Sequence, residues 1–154
     1  RRNKESEEIR EKRKGDALME NRMYVNAIRV YQKLLEKDSR EISREMRERI
    51  LHNQGCAYSY LFQMDKALDC FFAAWKVNQS EKALKIYLLA YRSVHTPEEF
   101  EKIQEDLKAE DSVKKETARA LEQFISLPEQ KIAPGETDRI LEDLTREYHR
   151  STGS

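Results

Sequence analysis

Glycine and proline are scarce, at four and three in 154 residues. A sheet protein spends both at its many turns, so their scarcity argues against a β architecture and for helices. Cysteine is scarcer still, at two, too few for the disulfide framework of a small secreted domain, and a reducing, cytoplasmic setting is expected. Net charge is absent: 29 basic and 29 acidic side chains cancel to +0 at pH 7. That removes the field that would draw the chain to nucleic acid or to an anionic membrane, and neither is expected as a partner. No apolar run is long enough to cross a bilayer, and no secretory leader is recognisable. The chain opens at Arg1 and not at methionine, which leaves room for an upstream segment or domain.

Catalytic motifs are missing as well. The sequence has no glycine-rich phosphate loop, G-x-S-x-G, H-E-x-x-H or paired C-x-x-C. His52 and Cys56 stand four apart and share a helix face, but a metal would need one or two further ligands, and only His95 and His149 remain as histidines. The pair is read as a helix-face coincidence. No catalytic residue, metal or cofactor is expected, and the chain is not expected to be an enzyme.

What is present is helical. Apolar and charged residues each make up 38%, the balance of a soluble chain with much solvated surface and enough length for one domain with a real core. The opening "RRNKESEEIREKRK" alternates its charges at helical spacing, which describes a salt-bridged, solvated face. The expected fold class is all-α. Sliding the sequence on itself by forty residues places Gly15 on Gly55, Ala27 on Ala67, Tyr31 on Phe71 and Leu34 on Ala74. Two of the four glycines coincide in that register. Repetition on this scale marks an α-solenoid, in which a helical hairpin cannot bury its apolar face alone and stacks on its neighbour.

The second unit runs Leu51-x2-Gln54-Gly55-x2-Tyr58, then Ala67-x3-Phe71-x2-Ala74. At Gly55, Tyr58, Ala67, Phe71 and Ala74 it resembles the tetratricopeptide repeat, W-x2-L-G-x2-Y, then A-x3-F, then P. It departs from that pattern at Leu51, Gln54 and Gln79. The first unit keeps Gly15, Ala27 and Tyr31, carries Leu18 in the tyrosine slot, and has Glu11 and Lys14 where apolar residues are usual. The period exceeds the family's by six residues, which an extra turn in "REISREMRER" accommodates. Glycine within a helix costs about 0.5–1 kcal/mol relative to alanine. Two in one register therefore imply a close crossing, expected to admit Ala27 and Ala67 with aromatics filling the flanking holes.

Beyond Trp75 the repeat degrades. Ser80 is placed to cap a helix "EKALKIYLLAYRSV", apolar nearly all round, and Thr96-Pro97-Glu98-Glu99 is a capping box opening a helix through Phe100, Ile103 and Leu107. Hairpins are thus expected at about 3–38, 41–79 and 80–108 within a solenoid spanning 1–110. Two further helices within 111–150, one stopped by Pro128 and one after Pro134-Gly135, are expected to cap it, ahead of a disordered tail at 151–154.

The resemblance implies a protein or peptide partner held on the concave face that the first helix of each hairpin lines. Carried over by register, that face comprises Ile9, Lys12, Asp16, Met19 and Glu20, then Arg49, His52, Cys56, Ser59 and Tyr60, with Leu84, Tyr87 and Tyr91 from the third hairpin. Cys56 should face the groove and Cys70 point away, leaving both reduced. Some members grip an acidic tail with a carboxylate clamp of lysine, asparagine, asparagine, lysine and arginine. Here Lys12 and Asn53 match, but Asp16 replaces an asparagine and would repel the anion, and the third helix lacks the basic pair. The implied role is an adaptor or scaffold within a larger protein. Its rivals are a peptide-sensing domain of a transcription regulator and a helical support for a catalytic part outside this chain. Oligomeric state is left open.

Overall fold

The computed structural model describes residues 6–38 and 40–109. Those residues are 83% helical with no strand among them, as the all-α expectation requires. The helices are α1 (Glu7–Glu20), α2 (Tyr24–Leu35), α3 (Arg44–Tyr60), α4 (Met64–Asn78), α5 (Glu81–Val94) and α6 (Pro97–Ala109). The helices expected within 111–150 and the tail at 151–154 lie outside the described residues. The chain divides into two compact units, Arg1–Asn78 and Gln79–Ser154, so the boundary falls between the second and third hairpins.

In the first unit α1 packs on α2, α2 on α3 and α3 on α4, while α1 also touches α3. The forty-residue register recurs in backbone detail. Arg22 and Phe62 both adopt the left-handed conformation, with φ of 59° and 61°. In each turn the next residue's N–H, of Met23 or Gln63, reaches back 2.9 Å to the carbonyl of Leu18 or Tyr58. The N–H groups of Arg22 and Phe62 meet the carbonyls of Met19 and Ser59 at 3.0 Å. This is the paired-bond helix stop usually closed by glycine. A non-glycine residue there costs about 1–2 kcal/mol, so the packing of the hairpins must over-determine both turns.

The glycines also behave alike, though not as alanine approach would have it. A Cβ placed on Gly15 would lie 2.5 Å from Cε1 of Tyr31, and one on Gly55 would lie 2.6 Å from Cε1 of Phe71. An aromatic ring, and not Ala27 or Ala67, occupies the space each glycine leaves. Both alanines are buried nearby in the same helices.

Ser6 and Ser43 cap α1 and α3, accepting from the N–H groups of Ile9 and Met46 at 3.2 and 3.1 Å. The caps are thirty-seven positions apart, not forty, so α3 begins earlier in the repeat register and runs 17 residues against the 14 of α1. Directly after the three added residues comes Arg47, whose guanidinium donates to the carbonyls of Leu35 and Lys37, both at 3.1 Å, and closes the end of α2. In the second unit α5 packs on α6. The limits of both helices follow the caps read from sequence: Ser80 accepts from Ala83 N–H at 3.2 Å, and Thr96 and Glu99 exchange bonds at 3.0 and 3.2 Å.

Replacing Gly55 by leucine improves helix propensity but drives a side chain into a ring that is itself buried. Gly55→Leu should lose about 1–3 kcal/mol or more. Gly55→Ala should be destabilised too, and less so in a Phe71→Leu background, since the two residues share one space. Thermal melts of the parent and the four variants check this, and a melting temperature for Gly55→Leu at or above that of the parent excludes the close contact.

Candidate functional site

The first-helix face of the first unit is organised by one carboxylate. Asp16 Oδ2 accepts from the Lys12 ammonium one turn back at 2.7 Å. Its Oδ1 accepts from the Tyr31 hydroxyl at 2.5 Å and from the Asn53 amide at 3.1 Å. Lys12 and Asp16 come from α1, Tyr31 from α2 and Asn53 from α3, so three helices meet at a single group. A partly buried carboxylate is tolerable only when its lone pairs are filled, and a charge-assisted bond contributes roughly 1.5–3 kcal/mol net. The Lys12 side chain is 13% exposed and that of Asp16 36%, so one edge of the carboxylate still meets solvent.

Forty residues on, the same three places hold His52, Cys56 and Phe71. His52 Nε2 lies 3.5 Å from Cys56 Sγ, and the imidazole sits 5.7 Å from the Phe71 ring. The ring still covers the glycine, but it carries no hydroxyl, and Cys56 stands in the register position of the carboxylate. His52, Cys56 and Ser59 are each 2% exposed. Ser59 donates to the Cys56 carbonyl at 2.7 Å.

Of the residues assigned to the face from sequence, Ile9 and Glu20 are exposed, while Lys12, Asp16, Met19, Arg49 and Tyr60 are half-buried. Met19 packs against the cluster of Ala27, Tyr31, Leu34, Ile42 and Ile50. Tyr60 stacks on Tyr24, with ring centroids 4.8 Å apart and planes 12° from parallel. In the second unit Leu84 and Tyr87 are buried, and Tyr91 is half-buried between a tilted Tyr87 at 5.9 Å and a stacked His95 at 3.7 Å.

Two contributors escape sequence reasoning. Nothing in the spacing of Tyr24 marks it as part of the face. Tyr31 was read only as the aromatic of the repeat, although a tyrosine where the other unit has phenylalanine signals a hydroxyl with a partner. Asn53 holds the carboxylate of its own chain, so both donors that match the clamp pattern are spent on Asp16.

Chemically, the face offers hydrogen bonding, charge and aromatic contact. Both cysteines are free thiols. Cys70 donates to Gln54 Oε1 at 3.6 Å, and burial, aided by Asp69, pushes its thiol up to about 12. No group of three metal-ligating side chains occurs among the described residues, and no described helix is long and apolar enough to cross a membrane. No family model, curated protein or solved structure matches the chain.

The hub can be tested by substitution. Tyr31→Phe converts the first repeat to the chemistry of the second and should lose about 1.5–3 kcal/mol. Asp16→Asn should cost a similar amount, and the double variant less than the sum, because both remove the same bond. Urea unfolding of the set checks this, and strict additivity excludes a shared interaction.

Alkaline stability follows from the same groups. Burial, then the Asp16 charge, raises the Tyr31 hydroxyl above its ordinary 10.0, and Cys70 is raised from 9.0 to about 12. Below pH 9.0 folded and unfolded chains carry the same protons at these groups, and stability is fully present. Above it the unfolded chain releases protons that the folded chain keeps, so stability falls as pH rises. Urea midpoints should hold from neutral pH to near pH 9 and then decline to about pH 11, less steeply in Cys70→Ser. A flat profile contradicts the burial of both groups.

Proposed function

We propose that this chain is a tetratricopeptide-like helical module that binds a protein or peptide partner on the face formed by α1 and α3. It would serve as a cytoplasmic adaptor or scaffold within a larger protein. The observation that carries the reading is the in-register recurrence of a ring over a glycine and of a left-handed helix stop in both hairpins. Helical repeats of this kind use their first helices for recognition, and that step rests on fold analogy.

The accessible part of the face supports the class of partner. Ile9, Asp16 and Glu20 lie along α1, with Arg49 and Tyr60 on α3. Mixed charge beside an aromatic suits a polypeptide better than a nucleic acid or a membrane surface. An enzymatic reading finds little support here, since the His52–Cys56 pair that would carry it is buried. Tyr60 is the best anchor, because a half-buried aromatic near the centre of a contact carries a large share of binding energy.

Screening the whole chain against a peptide array, with dissociation constants of the hits then measured by fluorescence anisotropy, tests the proposal. Tyr60→Ala should cost about 2 kcal/mol or more, roughly thirtyfold in affinity. Because that variant also loses the stack on Tyr24, Tyr24→Ala serves as the control that breaks the stack and keeps the anchor. Hits that bind Tyr60→Ala as tightly as the parent exclude this face. A chain ending after Leu127 that binds more tightly than the whole protein identifies the C-terminal segment as a competitor.

A further inference from the structure

A cavity of about 300 Å³ opens between α5 and α6, lined by Tyr91, Glu99, Lys102, Ile103 and Asp106. The four α6 residues recur at i, i+3, i+4 and i+7, one helix face, and Tyr91 closes the space from α5. Its volume sits at the bottom of the roughly 300–1,000 Å³ range of small-molecule sites, enough for one long side chain and too little for a nucleotide cofactor. The walls are of two kinds. Among the described lining residues, Ile103 and the Tyr91 ring are apolar surface, while Glu99 and Asp106 are carboxylates and Lys102 the one ammonium.

The two acids are not equivalent. Glu99 is fixed by its capping bond from Thr96 N–H at 3.0 Å, which holds its carboxyl below the usual range and keeps it ionised. Asp106 makes no hydrogen bond or ion pair among the described residues. Burial first, and then the charges of Glu99 and Asp106, raise the Tyr91 hydroxyl, so the fields of both carboxylates converge where the aromatic wall stands. Lys102 is exposed and pairs with neither acid among the described residues.

We propose that this cavity seats the cationic side chain of a lysine or arginine presented by a peptide partner. The alkyl stem lies against Ile103 and Tyr91, and the charge sits between Glu99 and Asp106. Long basic side chains are suited to such a site, since they bury an apolar stem while keeping the charged end hydrated. Lys102 opposes the guest from the rim, which makes the sign of its effect diagnostic. The site belongs to the second unit and does not depend on the reading given for the α1–α3 face.

The test is a titration of the whole chain, isotope-labelled at isoleucine methyls, with Nα-acetyl-lysine amide and Nα-acetyl-arginine amide, and with Nα-acetyl-glutamate amide for comparison. The cationic compounds should give saturable shifts at Ile103 that shrink at about 0.3 M salt. Asp106→Asn should weaken them by about two- to fivefold, and Lys102→Gln should tighten them by a similar factor, as exposed charge pairs allow. Both substitutions are at exposed positions, and an unchanged spectrum away from the cavity verifies the fold. If the glutamate compound shifts Ile103 and Lys102→Gln abolishes that shift, the cavity is an anion site and the proposal fails. It fails equally if neither cationic compound gives a saturable shift in the parent or in Lys102→Gln.

Discussion

An aromatic ring laid on bare backbone governs the first unit, Tyr31 over Gly15 and Phe71 over Gly55. A ring admits little adjustment once its rotamer is set, and a close-packed interior leaves it nowhere to move. The contact therefore fixes both the separation and the rotation of the two helices in each hairpin. Everything flanking the glycine is then placed without further choice. The residue three before it and the residue one after it flank the crossing on the same helix, and in this way Asp16 reaches the Tyr31 hydroxyl in one hairpin and His52 lies against the Phe71 ring in the other. The penalty of a helical glycine, about 0.5–1 kcal/mol each, is offset by the packing of a whole aromatic side chain, and the left-handed stops at Arg22 and Phe62 persist because the same packing holds them.

On that common frame the two hairpins diverge in chemistry. A hydroxyl at the tip of Tyr31 demands an acceptor, and Asp16 supplies one; the carboxylate in turn demands donors, and takes Lys12 from its own helix and Asn53 from α3. Phe71 makes no such demand, and its flanking pair is the softer His52 and Cys56. The difference of one oxygen thus propagates into a polar knot that ties α1, α2 and α3 together in one repeat, and into a weakly polar packing contact in the other. Glu48, Asn53 and Gln54 are buried along α3 beside His52 and Ser59, so α3 is the helix on which polar groups must find partners inside the protein.

Much of the fold could be read from single residues whose physical role is local. Ser80, Thr96, Pro97 and Glu99 define the ends of α5 and α6 through capping bonds that span three positions, and such bonds depend on nothing distant. The forty-residue register was legible because glycine is rare in this chain. The identity of what meets each glycine was not, since helix periodicity says which residues share a face and not which side chain of the neighbour enters the gap. The burial of His52, Cys56 and Ser59 is tertiary in the same sense: their spacing matches that of Lys12, Asp16 and Met19, yet those three remain half-buried. Asn53 was visible as a candidate ligand for a partner's carboxylate, and the chain's own Asp16 fills that role.

That substitution of an internal carboxylate for an external one would constrain recognition on the α1–α3 face proposed as the binding surface. An incoming anion would find Lys12 and Asn53 already engaged, and Arg49 half-buried with an interaction of its own. To use the first two it would have to displace Asp16, and the displaced carboxylate, tethered to the same helix, would remain within a few ångströms of the guest. Two like charges 4 Å apart repel by about 1 kcal/mol in water and about 4 kcal/mol at an effective dielectric near 20, comparable to the bonds the guest would gain. The solvent-facing edge of Asp16 instead retains an unspent lone pair. A neutral amide or a basic group meets that edge without paying to expel anything. If partners do dock on this face as proposed, the sequence of electrostatic demands that begins with the Tyr31 hydroxyl disfavours acidic ones.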